Sequence, residues 1–326
     1  MSLQGIIKNL QEVSGEDVLK KILDKRDISV YWGTATTGKP HIAYFLPIYK
    51  IRDFLENGCT VTVLLADIHA FLDNLKAPIE KIRHRSVYYK KIITAMLESI
   101  DVDISRIKFV EGSSFQKSNQ YFSDILRILK ATNVNDAKRA GAEVVKQVGN
   151  AKLSSLVYPA MQALDEEYLK VDAQFGGVDQ RKIFMYAREF LPSLKYKKRI
   201  HLMNPMIPGL NADKMSSSDK SSKIDLLDSK EDVMSKIRSC KVDFSKPEDG
   251  LLALFRFIIL PWCEIKEQPL EINNCLYNTE KFIENYSKFN EDEIKKIAGE
   301  YINKIIEPIR NTMFEDQTVI DNAYDN

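Results

Sequence analysis

The sequence predicts an α/β fold, in which helices cover both faces of a parallel sheet, followed by a smaller domain made only of helices. Two observations support this prediction. Short apolar runs alternate with helix-length segments through residues 28–203, and only helical patterns remain after about residue 230. We therefore predict a doubly wound, Rossmann-like domain at residues 1–228 and an all-α domain at residues 229–326.

Five apolar runs predict the strands of the sheet. They are short and are separated by segments with a helical period. The run at residues 60–67 is β-branched and almost continuously apolar, which is typical of a strand covered on both faces. The predicted strands are residues 28–33, 60–67, 107–110, 171–175 and 199–203.

The connecting segments predict helices. We expect one or two helices within residues 3–26 and two or three within residues 118–148, and Gly58 marks the end of another. The polar, acidic tail after Phe314 is expected to fray. The remaining predicted helices are residues 42–57, 79–100, 158–168, 178–191, 231–240, 250–260, 279–289 and 291–314.

The composition argues against several classes of protein. The chain has 326 residues and a net charge of +1, so any nucleic-acid contact must come from local basic patches. The four cysteines form no C-x-x-C pair, which argues against a zinc site or a disulfide framework and predicts a reducing compartment. No apolar run approaches the roughly 18 residues of a membrane span. We expect a cytoplasmic protein without membrane contact and without a metal held by the protein.

A first phosphate-seeking motif follows the strand at residues 28–33. Gly33 and Gly38 permit close approach of a ligand to the backbone. His41 follows Pro40 and stands where the next helix begins, and the N-terminus of a helix attracts phosphate. A helix-capping histidine without a ligand is the alternative interpretation.

A second motif lies about 170 residues later. Lys214 is followed, after Met215, by Ser216, Ser217 and Ser218, which together supply one mobile cation and three hydroxyls for phosphate oxygens. Alone, this stretch is also typical of a solvated lysine-serine turn. The two motifs together predict nucleotide chemistry at the C-terminal edge of a parallel sheet.

A predicted helix carries a polar face. Tyr158, Gln162 and Asp165 stand at i, i+4 and i+7, so they share one side of that helix. This face predicts a polar pocket wall rather than a solvated exterior. Gly177 follows the next strand and Gln180 begins the next helix, where it could meet the same ligand, although glycine pairs are also common turn devices.

These motifs resemble the tyrosyl-tRNA synthetases of the eukaryotic and archaeal type, which are class I synthetases. The resemblance covers roughly residues 20–230. It implies activation of L-tyrosine by ATP with Mg²⁺, release of pyrophosphate, and transfer of tyrosine to the 3′ end of tRNA(Tyr). It also implies a homodimer formed through an insertion at about residues 112–150. The stretches that carry it are residues 31–41, 66–70, 140–147, 158–180 and 214–227.

The resemblance assigns catalytic roles to His41 and Lys214, with departures from the family pattern. Ala43 and Tyr44 replace the second half of the family's H-I-G-H element. Ser217 replaces the second lysine of its K-M-S-K-S element, which leaves Lys220 or Lys223 as candidates to share that role. The implied ATP-binding residues are Gly33, Lys39, His41, Ala43, Gly177, Lys214, Met215, Ser216, Ser217 and Ser218.

The resemblance also assigns the tyrosine pocket. Tyr31 and Asp165 match the residues that hold the phenol hydroxyl, and Tyr158, Gln162 and Gln180 match those around the α-amino group. Phenylalanine would leave the first two groups buried and unpaired. The alternative interpretation of Tyr31 is a core tyrosine of a strand.

For tRNA, the resemblance points to the acceptor stem and the anticodon. A solvated helical face is the alternative for the acceptor-stem segment. The helical domain would stack an anticodon base on an aromatic side chain. Trp262 has the sequence context of a core residue, so Phe282, Tyr286 or Phe289 are the candidates for that contact. The implied tRNA-binding residues are Lys138, Arg139, Lys146, Arg181 and Lys182.

Three other functions compete with this interpretation. A tryptophanyl-tRNA synthetase shares the fold and the nucleotide motifs, but an indole has one N–H donor and no hydroxyl for Tyr31 and Asp165. The others are a signalling or RNA-binding protein that has kept the fold without the activity, and an adenylate-forming enzyme for another acid. The intact pocket residues argue against both.

Overall fold

The computed structural model describes residues 2–73, 78–144, 152–210, 223–240, 242–246 and 250–324. The strands of its central sheet are β1 (Glu12–Ser14), β2 (Ser29–Thr34), β3 (Thr60–Leu65), β4 (Ile107–Glu111), β5 (Ala173–Gly177) and β6 (Ile200–Asn204). They lie in the order β1-β6-β5-β2-β3-β4. All neighbouring strands are parallel except β1, which pairs antiparallel with β6. The predicted doubly wound sheet is confirmed.

All five predicted strands form, and β1 is a sixth that the sequence analysis missed. Residues 3–26, predicted as helix alone, contain this strand between two helices. Three residues are too few to show an alternating pattern. The strand exists because Val13 pairs with Leu202 at the edge of the sheet, which is a tertiary contact.

Helices cover the sheet and place side chains at its C-terminal edge. A single 3-10 turn, Ile42–Tyr44, precedes helix α3 (Phe45–Glu56), and Gly58, with a φ of 80°, follows the end of this helix as predicted. The helix that carries the predicted polar face begins at Leu153, earlier than expected, and includes Pro159. The helices of this region are α1 (Leu3–Ile7), α2 (Glu16–Leu23), α3 (Phe45–Glu56), α4 (Asp67–Leu72), α5 (Ile82–Ser99), α6 (Ser113–Gln116), α7 (Asn119–Ala131), α8 (Val134–Gly141), α9 (Leu153–Tyr168) and α10 (Arg181–Phe190).

The second region is helical, as predicted, with one small addition. A two-stranded antiparallel hairpin, β7 (Leu270–Ile272) and β8 (Cys275–Tyr277), interrupts the helices. A π-helical turn, Phe255–Ile259, joins two of them. The helices are α11 (Lys230–Ser239), α12 (Gly250–Leu254), α13 (Leu260–Ile265), α14 (Thr279–Asn285), α15 (Glu291–Phe314) and α16 (Gln317–Ala323).

One hydrophobic core joins the two regions. A single cluster of buried side chains extends from Ile6 to Ala323, and α15 packs against both α5 and α11. The prediction that the tail frays is wrong, because α16 packs on α5 with Ile320 and Ala323 buried. Trp262 is buried, as its sequence context predicted. Within the described ranges, no helix combines the length and apolarity that crossing a membrane requires.

Candidate active site

A cavity of about 350 Å³ opens at the C-terminal ends of β2, β5 and β6. Strands of a parallel sheet bring their carboxyl ends to one edge, so residues distant in sequence meet there. The cavity contains nine of the side chains or backbone positions predicted from the sequence. They are Tyr31, Gly33, His41, Ala43, Tyr158, Gln162, Asp165, Gly177 and Gln180.

The deep end of the cavity holds a phenol and a carboxyl group. Tyr31, on β2, and Asp165, on α9, are 1% and 0% exposed. Asp165 Oδ1 accepts hydrogen bonds from Gln116 Nε2 and Tyr121 Oη, each at 2.8 Å. Within the described part of the chain, neither Tyr31 Oη nor Asp165 Oδ2 has a hydrogen-bond partner. One carboxylate oxygen is therefore fixed by the protein, and the other is left for a ligand.

Burial sets the protonation of this end. It raises the pKa of Asp165 to about 8, although the hydrogen bonds from Gln116 and Tyr121 oppose the shift. Burial, assisted by the charge of Asp165, raises the pKa of Tyr31 well above its ordinary value. Burial lowers the pKa of His69 to about 4, and its Nε2 lies 3.8 Å from Asp165 Oδ2. Tyr31, His69 and the Asp165 carboxyl group of the free protein are therefore mostly neutral near pH 7, and they act as hydrogen-bonding groups rather than as charges.

The middle of the cavity is lined by amides and by two further carboxylates. Gln162 Nε2 donates to Gln180 Oε1 at 3.2 Å, which ties α9 to the turn before α10. Burial raises the pKa of Tyr158, and the charges of Asp73, Asp165 and Asp179 add to this shift. Asp73 and Asp179 also line the cavity. This region offers negative charge to an ammonium group.

The outer end of the cavity is formed by the first phosphate-seeking motif. His41 is buried, stands at the N-cap position of the 3-10 turn before α3 without a capping hydrogen bond from its side chain, and pairs with Asp225 across an isolated β-bridge. The ring centroids of His41 and Tyr44 lie 5.5 Å apart, with the two ring planes nearly perpendicular. Tyr44, in place of the family's second histidine, lines the cavity with its hydroxyl 3.2 Å from Thr34 Oγ1. Burial raises the pKa of Tyr44, so this position supplies a neutral phenol.

The structure describes only some of the lysines that were predicted to bind phosphate near this end of the cavity. Lys214, Met215, Ser216, Ser217 and Ser218, together with Lys220, lie outside the described residues. Lys223 is buried, and its Nζ donates to Lys39 O at 3.3 Å and to Asp225 Oδ2 at 3.4 Å. Lys223 therefore anchors backbone here and is not a mobile phosphate ligand. Lys39 is not among the described residues that line the cavity, and its Nζ lies 5.5 Å from the ring centroid of Tyr324.

Three of the five predicted tRNA-binding side chains form one surface group. Arg139 on α8 and Arg181 and Lys182 on α10 line a shallow depression. Each pairs with a carboxylate, and the partners are Asp136 at 2.9 Å, Glu12 at 2.8 Å and Glu143 at 2.7 Å respectively. Lys138 lies in the last turn of α8, and Lys146 lies outside the described residues.

The structure excludes one of the three aromatic residues of the helical region that were candidates for stacking on an anticodon base. Phe282 is buried between Phe255 and Phe289, with ring centroids at 4.7 and 5.8 Å, so it belongs to the core. Tyr286 and Phe289 are partly buried. Phe282 is therefore removed from the candidates for base stacking.

The sequence analysis missed the residues that hold Asp165 in place. Gln116 ends the short helix α6 just beyond β4, and His69, whose Nδ1 lies 3.4 Å from Gln116 Nε2, lies on α4 just beyond β3, whereas Tyr121 lies further along, on α7. The position just beyond a strand was the available signal, because such residues meet at the binding edge. Asp179 stood beside Gln180 and was also passed over. Among the described residues, no group of three or more His, Cys, Asp or Glu side chains could hold a metal ion.

Comparisons with known proteins agree with this geometry. The sequence profile of the tRNA synthetases class I (W and Y) matches residues 23–314. A probable cytoplasmic tyrosine–tRNA ligase of Vairimorpha ceranae is 64% identical over 99% of this chain and 98% of its own length. One of Encephalitozoon cuniculi is 54% identical over 98% of this chain and 97% of its own length.

A solved structure gives the same result in three dimensions. The crystal structure of a tyrosyl-tRNA synthetase from Archaeoglobus fulgidus, complexed with L-tyrosine, matches with a TM-score of 0.86 and 33% identity. The match covers 95% of this chain and 98% of that chain. The resemblance found in the sequence is thereby confirmed, and this chain belongs to the class I tRNA synthetases of the tryptophan and tyrosine type.

Proposed function

We propose that this chain is a tyrosine–tRNA ligase. It joins L-tyrosine to ATP, releasing pyrophosphate, and passes the tyrosyl group from the adenylate to the 3′ end of tRNA(Tyr). The observation that carries this proposal is the buried pair of Tyr31 Oη and Asp165 Oδ2 at the deep end of the cavity. The names of the relatives from Vairimorpha ceranae and Encephalitozoon cuniculi agree with it, and both include the word cytoplasmic, which is where we place this enzyme.

The pair selects a substrate with a hydroxyl at the tip of its ring. The Asp165 carboxyl group of the free protein is protonated near pH 7 and releases this proton when tyrosine binds, so that the substrate phenol donates to Asp165 Oδ2 and accepts from Tyr31 Oη. Phenylalanine would desolvate both groups without replacing their hydrogen bonds, at a cost of about 1–3 kcal/mol for each group. An indole has a single N–H donor and cannot serve both. This chemistry favours tyrosine over tryptophan within the family.

The α-amino group then lies toward the middle of the cavity. Gln162, Gln180 and Tyr158 supply hydrogen-bonding groups there, and Asp73 and Asp179 supply negative charge. This orientation directs the substrate carboxylate toward His41. The carboxylate attacks the α-phosphorus of ATP, and pyrophosphate leaves.

Catalysis comes from positioning and charge stabilisation. His41, at the start of the turn before α3, donates to a phosphoryl oxygen as negative charge accumulates, and the Gly33 and Gly177 backbones allow close approach. Lys214 supplies positive charge from the second motif, an assignment that rests on the sequence alone. Mg²⁺ arrives with ATP and leaves with pyrophosphate.

We also propose a homodimer that binds tRNA across both subunits. In the segment at about residues 112–150, Phe122, Leu126 and Val134 are 62%, 54% and 57% exposed. Phe122 and Leu126 stand at i and i+4, so they share one face of α7. Large apolar side chains on one helix face favour a protein interface. This proposal keeps the predicted domain boundary at residue 228 and assigns the reading of the anticodon to the helical domain that follows it.

The test is amino-acid-dependent exchange of pyrophosphate into ATP, measured with each of the twenty amino acids. The proposal expects exchange with tyrosine and none above background with phenylalanine or tryptophan. Exchange driven by tryptophan, or by none of the twenty, would overturn it. Charging of tRNA(Tyr) with labelled tyrosine tests the second step.

A further inference from the structure

The loop between β2 and His41 is held from outside by three side chains. We call residues 36–39 the phosphate loop. Thr37 O accepts from Arg85 Nη1 at 2.6 Å, Gly38 O accepts from the Tyr89 hydroxyl, and Lys39 O accepts from Lys223 Nζ at 3.3 Å. Three successive carbonyls are therefore occupied by donors from other parts of the chain. Their bonds fix the peptide planes of the loop.

Arg85 is in turn held by the segment after α15. Its Nε donates to Ala323 O at 3.2 Å, and its guanidinium lies 4.8 Å from the ring centroid of Tyr324. The Lys39 ammonium lies 5.5 Å from the same centroid. The Tyr324 ring thus makes cation–π contacts with both Lys39, which belongs to the phosphate loop, and Arg85, which holds this loop in place.

The Tyr324 ring is itself fixed by packing. Its ring centroid lies 5.1 Å from that of Tyr88, and the two ring planes form an angle of 81°. Just before it, Ile320 and Ala323 are buried against α5, the helix that also carries Arg85 and Tyr89. Residues 317–324, which we call the clamp, are therefore joined to the phosphate loop through both a packed helix and a shared ring.

We propose that Tyr324 and Arg85 are positioning residues for ATP, and that the clamp holds the phosphate loop in the shape that receives the nucleotide. This inference rests on the proposed function, because it requires the loop to face ATP. A loop ordered before binding does not lose conformational freedom when the nucleotide arrives, so affinity for ATP is higher. Tyrosine binds at the far end of the cavity, away from the clamp, and its affinity is independent of it.

The experiment compares Tyr324→Leu, Tyr324→Phe and Arg85→Lys with the wild-type chain. Leucine keeps apolar contact with Tyr88 but has no ring face for the two cations. Phenylalanine keeps that face, and Arg85→Lys keeps a cation but loses the forked hydrogen bonds. Asn322→Ala, an exposed position on α16, is the matched control. The measurements are KM for ATP and kcat in tyrosine-dependent pyrophosphate exchange, Kd for tyrosine by equilibrium dialysis, and the melting temperature.

Tyr324→Leu is expected to raise KM for ATP about tenfold, the order of two lost cation–π contacts, with Kd for tyrosine unchanged. Tyr324→Phe and Asn322→Ala should match the wild type, and Arg85→Lys should fall between. An unchanged KM for ATP in folded Tyr324→Leu, or an equal loss of tyrosine affinity, would overturn this inference while leaving the proposed function intact. Should Tyr324→Leu fail to fold, Arg85→Lys decides by the same two constants. A wild-type chain with no tyrosine-dependent exchange would overturn both proposals.

Discussion

Replacing Asp165 by asparagine tests whether the carboxyl group that would bind the substrate phenol is buried away from water. Asparagine keeps an oxygen that can accept from Gln116 and Tyr121, so the local hydrogen bonds survive. It removes the ionisable carboxyl group, whose pKa burial raises to about 8. The variant should therefore change how stability depends on pH while the fold is kept.

The sign and the size follow from linkage. The pKa of an unfolded aspartate is about 3.9, so between pH 4 and pH 8 the folded state binds a proton that the unfolded state has released. This contribution to stability is complete below about pH 4 and is lost as the pH rises toward about 8. Each pH unit corresponds to about 1.4 kcal/mol, so the wild type loses up to about 3 kcal/mol between pH 5 and pH 7 relative to Asp165→Asn.

The assay is urea unfolding of the free protein, followed by tryptophan fluorescence at pH 5, 6 and 7. Asp124→Asn is the matched control. Burial raises the pKa of Asp124, but hydrogen bonds from Tyr196, Tyr168 and Arg127 outweigh this and lower it overall. That carboxyl is therefore ionised in both states above pH 5, and its variant should keep the wild-type slope. If Asp165→Asn also keeps that slope, the carboxyl is not desolvated and the reasoning about the phenol site fails.

Three further predictions test the other parts of the account. Tyr31→Phe should weaken tyrosine binding by about 1 kcal/mol and reduce discrimination against phenylalanine, as measured by kcat/KM for the two amino acids; unchanged discrimination would exclude a contact with the substrate hydroxyl. His41→Ala should lower kcat for pyrophosphate exchange about 100-fold with unchanged Kd for tyrosine, and a parallel loss of both would indicate a structural role instead. Phe122→Asp should weaken self-association by about 2 kcal/mol or more in sedimentation equilibrium, whereas Val18→Asp, at an exposed position on α2, should not.

The sequence was sufficient to predict the parallel sheet and one wall of the cavity. The inner strands β2, β3, β5 and β6 are mostly buried, so their apolar runs are visible without any tertiary information. The face of α9 with Tyr158, Gln162 and Asp165 was predictable because a helix places positions i, i+4 and i+7 together. His41 stands at the N-cap position of the turn before the next helix, as Pro40 before it suggested.

Other features depend on contacts that no local pattern records. The strand β1 exists through its pairing with β6, and α16 is stabilised by burying Ile320 and Ala323 rather than by helix propensity. Gln116 and Tyr121 reach Asp165 only because β4 ends at the same edge of the sheet as β2. Their role could not be read from spacing, since they precede Asp165 by more than forty residues.

The most direct test of the account is a crystal structure of this chain with L-tyrosine. We predict that the phenol oxygen lies within about 3.2 Å of both Tyr31 Oη and Asp165 Oδ2, with the amino group near Gln162 and Gln180. A ring bound in the opposite direction, or a phenol oxygen with no contact to either of the first two groups, would contradict it.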